Sequence, residues 1–597
     1  MLPLSAVADD ALVPERSGEK PDSIAGSVAD SLVERVADAA RSPQAVLSAD
    51  RVASFLKGDY LIDSEGIADF EQGGASALPP LGTSVDVESG ATGDVAALGS
   101  AVAGEVDIAA SDAGSEDLLP LATTLANPSW QRLGGINRYE TMQKIVREGW
   151  QDAEVAFLST GEKFPDALAA SCLAGLFDAP ILLTESDTLN AFARQELIRL
   201  GVDTVFILGS TATLSENVEK QVQSLSPSGV QTLRIGGENR YQTAYLLYDL
   251  YDYIMAGFVE ENYESAEYIS RIAIVATGTK FPDALSIAPV AYATWSPIFL
   301  YDPYSGFDGQ TLAALTSGRF DLILLIGGDD PATLPDAAIR SQLGAMGAAD
   351  RCQRIAGSDR YLTSLAVANM ALETDALGEV RGDVHVAPTI SLAKGSDFPD
   401  ALAGAALSGK LRAPLSLVAD SPEGRVGIYR MVARNHYHGA LETGYLLGSE
   451  LSVSSDIETA VKTFGSPTNF EQRVVDLVNV ERANNGVSPL QVRPILQGVA
   501  DIRADELTQY FDHVRPNGLD CLTAFTRDLQ GDELSLVNSG AGENIALGYP
   551  SPEAVVSAWM DSPGHRSNIL NPSFTHIGVG HVVFDGRSYW VQFFGGI

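Results

Sequence analysis

Phe164-Pro165-Asp166-Ala167-Leu168-Ala169 returns as Phe281-Pro282-Asp283-Ala284-Leu285-Ser286 and again as Phe398-Pro399-Asp400-Ala401-Leu402-Ala403. The three starts are 117 residues apart each time, a period that chance would not hold twice, so the middle of the chain is an array of three modules. The hexapeptide has the chemistry of a helix entrance. Proline at the first helical position loses only an N–H that has no partner there, and the following Asp166, Asp283 or Asp400 faces the positive end of the helix dipole.

Around each hexapeptide lie short apolar runs at matching places. One precedes it (Val155 to Thr160, Ile272 to Thr277, Val384 to Pro388), one follows and opens with proline (Pro180 to Thr184, Pro297 to Tyr301, Pro414 to Val418), and a third ends in glycine (Val205 to Gly209, Leu322 to Gly328, Tyr445 to Gly448). Nearly continuous apolar strands separated by segments of helical length predict a parallel sheet covered on both faces, hence a small α/β layer domain per module. The equal spacing and short connections predict that the three pack together with near-threefold symmetry.

Each module also opens alike, with Arg132-Leu-Gly-Gly-Ile-Asn-Arg138-Tyr139, Arg234-Ile-Gly-Gly-Glu-Asn-Arg240-Tyr241 and Arg354-Ile-Ala-Gly-Ser-Asp-Arg360-Tyr361. With the hexapeptide and the Pro-Ile-Leu-Leu run, these resemble the type-two cell-wall-binding repeat, found in three tandem copies in surface proteins of Gram-positive bacteria. The resemblance covers residues 130 to 462. It implies anchoring to an anionic wall polymer and gives that role to Pro180, Ile181, Leu182 and Leu183, to Pro297, Ile298, Phe299 and Leu300, and to Pro414, Leu415, Ser416 and Leu417, with Ser416 a departure from the pattern. By composition the same run is core. Lys163 and Lys280, directly ahead of the hexapeptide, are cations that could meet such a polymer, or solvated loop lysines; the third module has Asp397 there and Lys394 three residues earlier. Arg138, Arg240 and Arg360 are read as pairing with Asp166, Asp283 and Asp400 inside each module.

Composition narrows the partners. A formal net charge of −39 over 597 residues disfavours nucleic acid, whose phosphates need clustered Lys and Arg. No run approaches the ~18 apolar residues of a membrane span. Three scattered cysteines, Cys172, Cys352 and Cys521, support no disulfide framework and read as buried thiols. Neither a G-x-G-x-x-G nor a P-loop lysine accompanies the Gly-rich strand ends, which argues against a nucleotide-binding array. Residues 1–128 form an acidic, low-complexity segment with thirteen carboxylates and no Lys or Arg between Lys57 and Arg132, read as a disordered spacer with short helices over residues 24 to 57. Its start, ending Ala6-Val-Ala8, reads as a signal-peptide remnant, and the C-terminus resembles no sorting signal. The modules are placed at 129–230, 231–350 and 351–464.

A Gly, Ser, Pro and Asn stretch at Gly465 to Asn469 then leads to a different domain, 468–597. An amphipathic helix from Phe470 to Asn484, a second over residues 495 to 513, a helix from Pro552 to Met560 and two terminal strands joined at Asp585-Gly586 are expected. His513-Val-Arg-Pro-Asn-Gly, Gly542-Glu543-Asn-Ile, Ala558-Trp559 and Gly564-His565-Arg-Ser-Asn-Ile-Leu resemble the CAP superfamily of cysteine-rich secretory, antigen-five and pathogenesis-related proteins in its short bacterial form. The resemblance implies an α-β-α sandwich whose cleft holds His513, Glu543 and His565. Where many relatives carry a second Glu this chain has Ser562, and Asp561 or Glu506 is the candidate replacement. Two imidazoles and a carboxylate suffice for a divalent metal such as zinc, or for acid–base work near neutral pH. His576 and His581 read as structural, Trp559 and Trp590 as core. The expectation is a secreted surface protein, anchored to the wall by three repeats and displaying a CAP domain of unknown target as a binding module. The alternative is an extracellular wall hydrolase using His513, Glu543 and His565.

Overall fold

The computed structural model describes residues 128–596 except 164, 228, 262–269, 281, 382–383, 422–423, 425–430, 433–434, 436–439, 464–468, 517 and 527–539. The acidic leader, its helices and the signal-peptide reading lie outside the described residues. Those described fall into two compact units, residues 128–463 and 469–596.

In the first unit the strands are β1 (Ser129–Leu133), β2 (Val155–Thr160), β3 (Ile181–Thr184), β4 (Thr204–Leu208), β5 (Gln231–Ile235), β6 (Ile272–Thr277), β7 (Ile298–Tyr301), β8 (Leu322–Ile326), β9 (Cys352–Ile355), β10 (Glu379–Arg381), β11 (Val384–Val386), β12 (Thr389–Lys394), β13 (Leu415–Val418) and β14 (Thr443–Leu447). They build three parallel four-stranded sheets in the orders β3-β2-β4-β5, β7-β6-β8-β9 and β13-β12-β14-β1. The inner strands of the first two sheets are buried along their whole length, which is why they read as apolar runs without alternation.

The fourth strand of each sheet comes from the opening segment of another module. β5 joins the first sheet and β9 the second, while β1 pairs Ser129↔Thr443 through Leu133↔Leu447 in the third. The arginine of each opening segment reaches the last helix of the sheet its strand joins: Arg132 to Glu458, Arg234 to Glu219 and Arg354 to Asp336. The exchange is cyclic.

The hexapeptides start helices at their prolines, Pro165–Ala169, Pro282–Thr294 and Pro399–Lys410. The last two bury almost every residue, and one hydrophobic core runs through all three modules. Close approach at this centre requires small residues. A Cβ on Gly175 would stand 1.9 Å from Tyr292 O, and one on Gly409 2.5 Å from Tyr292 Cβ. Tyr292 also donates to Asp178 Oδ1 at 3.0 Å, and Lys410 pairs with the same carboxylate, so one polar group from each module meets there.

One strand expectation fails. Val384 to Val386 lies in β11, antiparallel to β10, and the strand that enters the third sheet is β12. Polar Ser391 and Lys394 broke the apolar run; Ser391 is nevertheless fully buried, its hydroxyl bonded to Ser408 at 2.9 Å.

The second unit is an α-β-α sandwich. Its sheet runs β15 (Gln491–Val492), β17 (His576–Phe584), β18 (Arg587–Gly595) and β16 (Ala541–Leu547), with β17 and β18 joined by Asp585 (φ 48°) and Gly586 (φ 70°), the two positive angles of a tight hairpin. Alternation along β17 sends Ile577 and Val579 into a core with Val474 and Val478 of helix Asn469–Asn484 and Val555 and Trp559 of helix Pro552–Asp561. The intervening Gly578 and Gly580 lie against helix Pro494–Glu506 on the other face. That contact is backbone to backbone. No helix among the described residues is long and apolar enough to cross a membrane.

Candidate functional site

In the first unit the repeated aspartates reach across modules while the repeated arginines bond within their own. Arg138, Arg240 and Arg360 each donate from Nη1 to a backbone carbonyl, of Gly161, Gly278 and Gly395 respectively, the last at 2.7 Å. The aspartates hydrogen-bond instead to the threonine of the following opening segment: Asp166 to Thr243, Asp283 to Thr363, Asp400 to Thr141. They feel the arginine of that same segment, Arg240, Arg360 and Arg138. In place of the pairing expected inside each module, each aspartate is held by the threonine of the next opening segment, because that segment folds onto a neighbour. Desolvation raises all three carboxyls above the ordinary range, Asp283 to about 6. A glycine at positive φ makes room for each. At Gly327 (φ 115°) a Cβ would stand 2.7 Å from Asp283 Oδ2.

Pro180 to Leu183, Pro297 to Leu300 and Pro414 to Leu417 are buried, and their side chains support the sheets. Lys163 and Lys280 are exposed, and Lys280 lies 3.5 Å from Asp330. Lys394 donates to Leu451 O at 3.0 Å.

In the second unit, Glu543 on β16 and His513 in the loop after helix Pro494–Glu506 meet: His513 Nδ1 stands 2.8 Å from Glu543 Oε2. A carboxylate only accepts, so Nδ1 carries the proton. Glu543 Oε1 accepts from Arg503 Nε at 2.7 Å. Arg503 Nη1 donates to Glu506 Oε2 at 2.8 Å, one helical turn on, and Arg515 Nη2 donates to Glu506 Oε1 at 2.6 Å. The side chains of Arg503, Glu506, Arg515 and Glu543 are at most 2% exposed, whereas that of His513 is 50% exposed. An alternating row of buried charges thus ends at one solvent-reached imidazole. The hydrogen bond to Glu543 lifts His513 above its ordinary value.

His565, on helix Pro563–Ile569, is pushed down by burial and then by the nearby His513 charge. Its carbonyl accepts from Asn544 Nδ2 at 3.1 Å. Glu506 spends both oxygens on arginines, and Asp561 is exposed on its helix. Cys521 is the unexpected member. Its sulfur and donor atoms of His513 and Glu543 all lie within 4.8 Å of one another, a group that does not include His565. Desolvation, then Glu543, holds the thiol well above its ordinary range. Arg503 and Arg515 were also missed, their helical and loop spacing giving no sign that they are buried.

His581 stacks on Trp590 at 3.8 Å between centroids, and burial pushes it down to about 4. Trp559 and Trp590 are core and donate to Ile545 O and Tyr549 O.

Residues 132–219, 234–331 and 354–458 match the family described as cell wall binding domain 2, and residues 475–594 match the cysteine-rich secretory protein family. Among curated proteins of Bacillus subtilis, the uncharacterized protein YkwD is 41% identical over 141 residues, covering 23% of this chain and 51% of that one. The N-acetylmuramoyl-L-alanine amidase LytC is 27% identical over 301 residues, covering 50% and 52%. The chain spans about half the length of these relatives. Among solved structures, Cwp6 from Clostridium difficile is 24% identical with a TM-score of 0.44, covering 57% of this chain and 48% of that one.

Proposed function

We infer that this chain, which carries three cell wall binding repeats followed by a cysteine-rich secretory protein domain, is a secreted surface protein that holds non-covalently to an anionic wall polymer and displays its C-terminal domain there as a binding module. The observation that carries the reading is the joining of the three repeats through exchanged strands into one unit. A protein of net charge −39 meets an anionic polymer through local cations, such as the exposed Lys163 and Lys280, or through bridging metal ions. Attachment is expected to weaken in high salt or on chelation of divalent ions. Sedimentation of the full chain with purified walls, beside a chain lacking residues 129–463, tests this. Co-sedimentation of the shortened chain would end the idea.

A second reading, a wall-associated hydrolase, draws on the opposed shifts of two neighbouring histidines. His513 is biased toward the cation and His565 toward the neutral base, the polarity that acid–base catalysis uses, with Glu543 holding His513 in one tautomer. The amidase named among the relatives makes wall glycopeptide the first substrate to try. Release of soluble fragments from walls, abolished in His513→Ala and His565→Ala, is the expected result. A divalent ion of the zinc class would draw on His513 and Glu543, with His565 outside the group of gathered donors, and would supply Lewis acidity there; a carboxylate with its second oxygen held by Arg503 still has lone pairs to offer.

A further inference from the structure

We propose that Cys521 makes the His513–Glu543 contact a thiolate-containing site for a borderline or soft metal ion, of the zinc, cobalt(II) or copper(I) class. The proposal rests on the cleft being a metal site at all and changes its ligands: sulfur enters, and His565 is not required.

Three donors of three chemical kinds, an imidazole nitrogen, a thiol sulfur and a carboxylate oxygen, lie within 4.8 Å of one another. They are delivered by two pieces of structure, one strand and one loop. Glu543 is held on β16 by the buried guanidinium of Arg503 at 2.7 Å. His513 and Cys521 bracket one closed loop. Cys521 N donates to His513 O at 3.0 Å, and Val514 bridges Asp520 inside it. The donors are thus gathered before any ion arrives, which removes much of the ordering cost of binding.

Donor chemistry selects the ion. Calcium and magnesium take all-oxygen shells, whereas a thiolate beside an imidazole favours zinc and its softer neighbours. Typical bonds are ~2.3 Å to sulfur and ~2.0–2.2 Å to nitrogen and oxygen, so ligand atoms around one ion stand about 3–4 Å apart, a spacing that fits inside the 4.8 Å within which the three donors already lie. On binding, the Cys521 S–H bond breaks, a sulfur–metal bond forms and the proton passes to solvent. The imidazole ligates in its neutral form. Glu543 keeps one oxygen on Arg503 and turns the other to the ion. Entry is through the half-exposed His513 side, Cys521 itself being 8% exposed. A fourth position stays open for water or a ligand.

Cobalt(II) is the probe, because a thiolate ligand adds a sulfur-to-cobalt charge-transfer band that nitrogen and oxygen ligands do not give. The full chain titrated with cobalt is expected to show that band at one ion per chain. Cys521→Ser and Cys521→Ala are expected to lose it, with affinity falling by at least about tenfold, while keeping the native circular dichroism. His565→Ala, Cys172→Ser and Cys352→Ser are expected to keep the band. Cobalt bound with ligand-field bands alone would overturn the sulfur ligand and leave the His513, Glu543 and His565 site standing. No binding by the full chain would overturn both. A charge-transfer band that survives in Cys521→Ser would place the sulfur elsewhere and sink the proposal.

Discussion

Asp283 sits at a helix start, where a carboxylate should be comfortable, yet burial between two modules raises it to about 6. The folded pKa lies above the unfolded value of about 3.9, so the folded state binds the proton more tightly. The stability this gives is fully present below the unfolded value and is lost as pH rises through about 6. An amide mimics the protonated acid. Asp283→Asn is therefore expected to gain on the native chain between pH 5 and pH 7.5 by about 1 kcal/mol, measured as the difference in denaturant midpoints; a difference independent of pH would refute it. The repetition of Asp283 and its relatives was plain in the sequence, but their partners were not. An arginine and an aspartate repeated at one spacing look the same whether they pair within a module or with the next. The C-terminal cleft divides in the same way. His513 and Glu543 were found because they stand in distinctive local motifs. Arg503 and Cys521 stand in none, and Arg515, though inside the His513 motif, carries no mark there of its burial; the importance of all three comes from being buried beside a carboxylate.

Among the elements, the 117-residue period was a better guide than hydropathy. β2, β6 and β12 begin at Val155, Ile272 and Thr389, all on that period, as do β3, β7 and β13 at Ile181, Ile298 and Leu415. The one misplaced strand was misplaced because an apolar run was preferred to the period, and β12 hides Ser391 by pairing it with Ser408 inside. The helix against β17 depends on a different signal, two glycines one pleat apart. A Cβ on Gly578 would stand 2.0 Å from Leu496 O, and one on Gly580 2.1 Å from Ala500 O. The chain cannot yield cheaply, since both obstacles are backbone. Gly578→Ala is expected to destabilise the second unit by about 1–3 kcal/mol or more and to lower its melting transition while leaving that of the first unit in place. Two unchanged transitions in calorimetry would contradict this.

For the whole first unit, β1 is the strand out of sequence. β5 follows β4 through helix Glu216–Gln223, and β9 follows β8 through helix Asp336–Gly344. The corresponding successor to β14 and helix Ser455–Lys462 is β1, which stands at the front instead. The joining of three α/β modules was legible from their spacing, but this exchange was not, because a five-residue strand carries no mark of which sheet it will join. Removing residues 1–134 takes away β1 and the Arg132–Glu458 pair, leaving β14 as an open edge. Such a chain is expected to self-associate and melt earlier, whereas one cut at residue 127 behaves as native; light scattering and thermal melts compare them. An undiminished monomer lacking β1 would show that the closure is dispensable.

The same closure sets the order in which the chain can acquire its structure. Repeat arrays ordinarily fold from any neighbouring pair outward, each contact being short in sequence. Here Ser129 must wait for Thr443, so the earliest residues of the unit complete the latest sheet. During synthesis, or during passage through any narrow channel, β1 stays without its partner strand until nearly the whole unit has emerged. Pairing over so long a loop is slow and leaves an edge exposed meanwhile. Refolding should accordingly end in a slow phase assigned to β1 docking, and that phase should vanish when the residues of β1 are grafted behind helix Ser455–Lys462, where the contact becomes local.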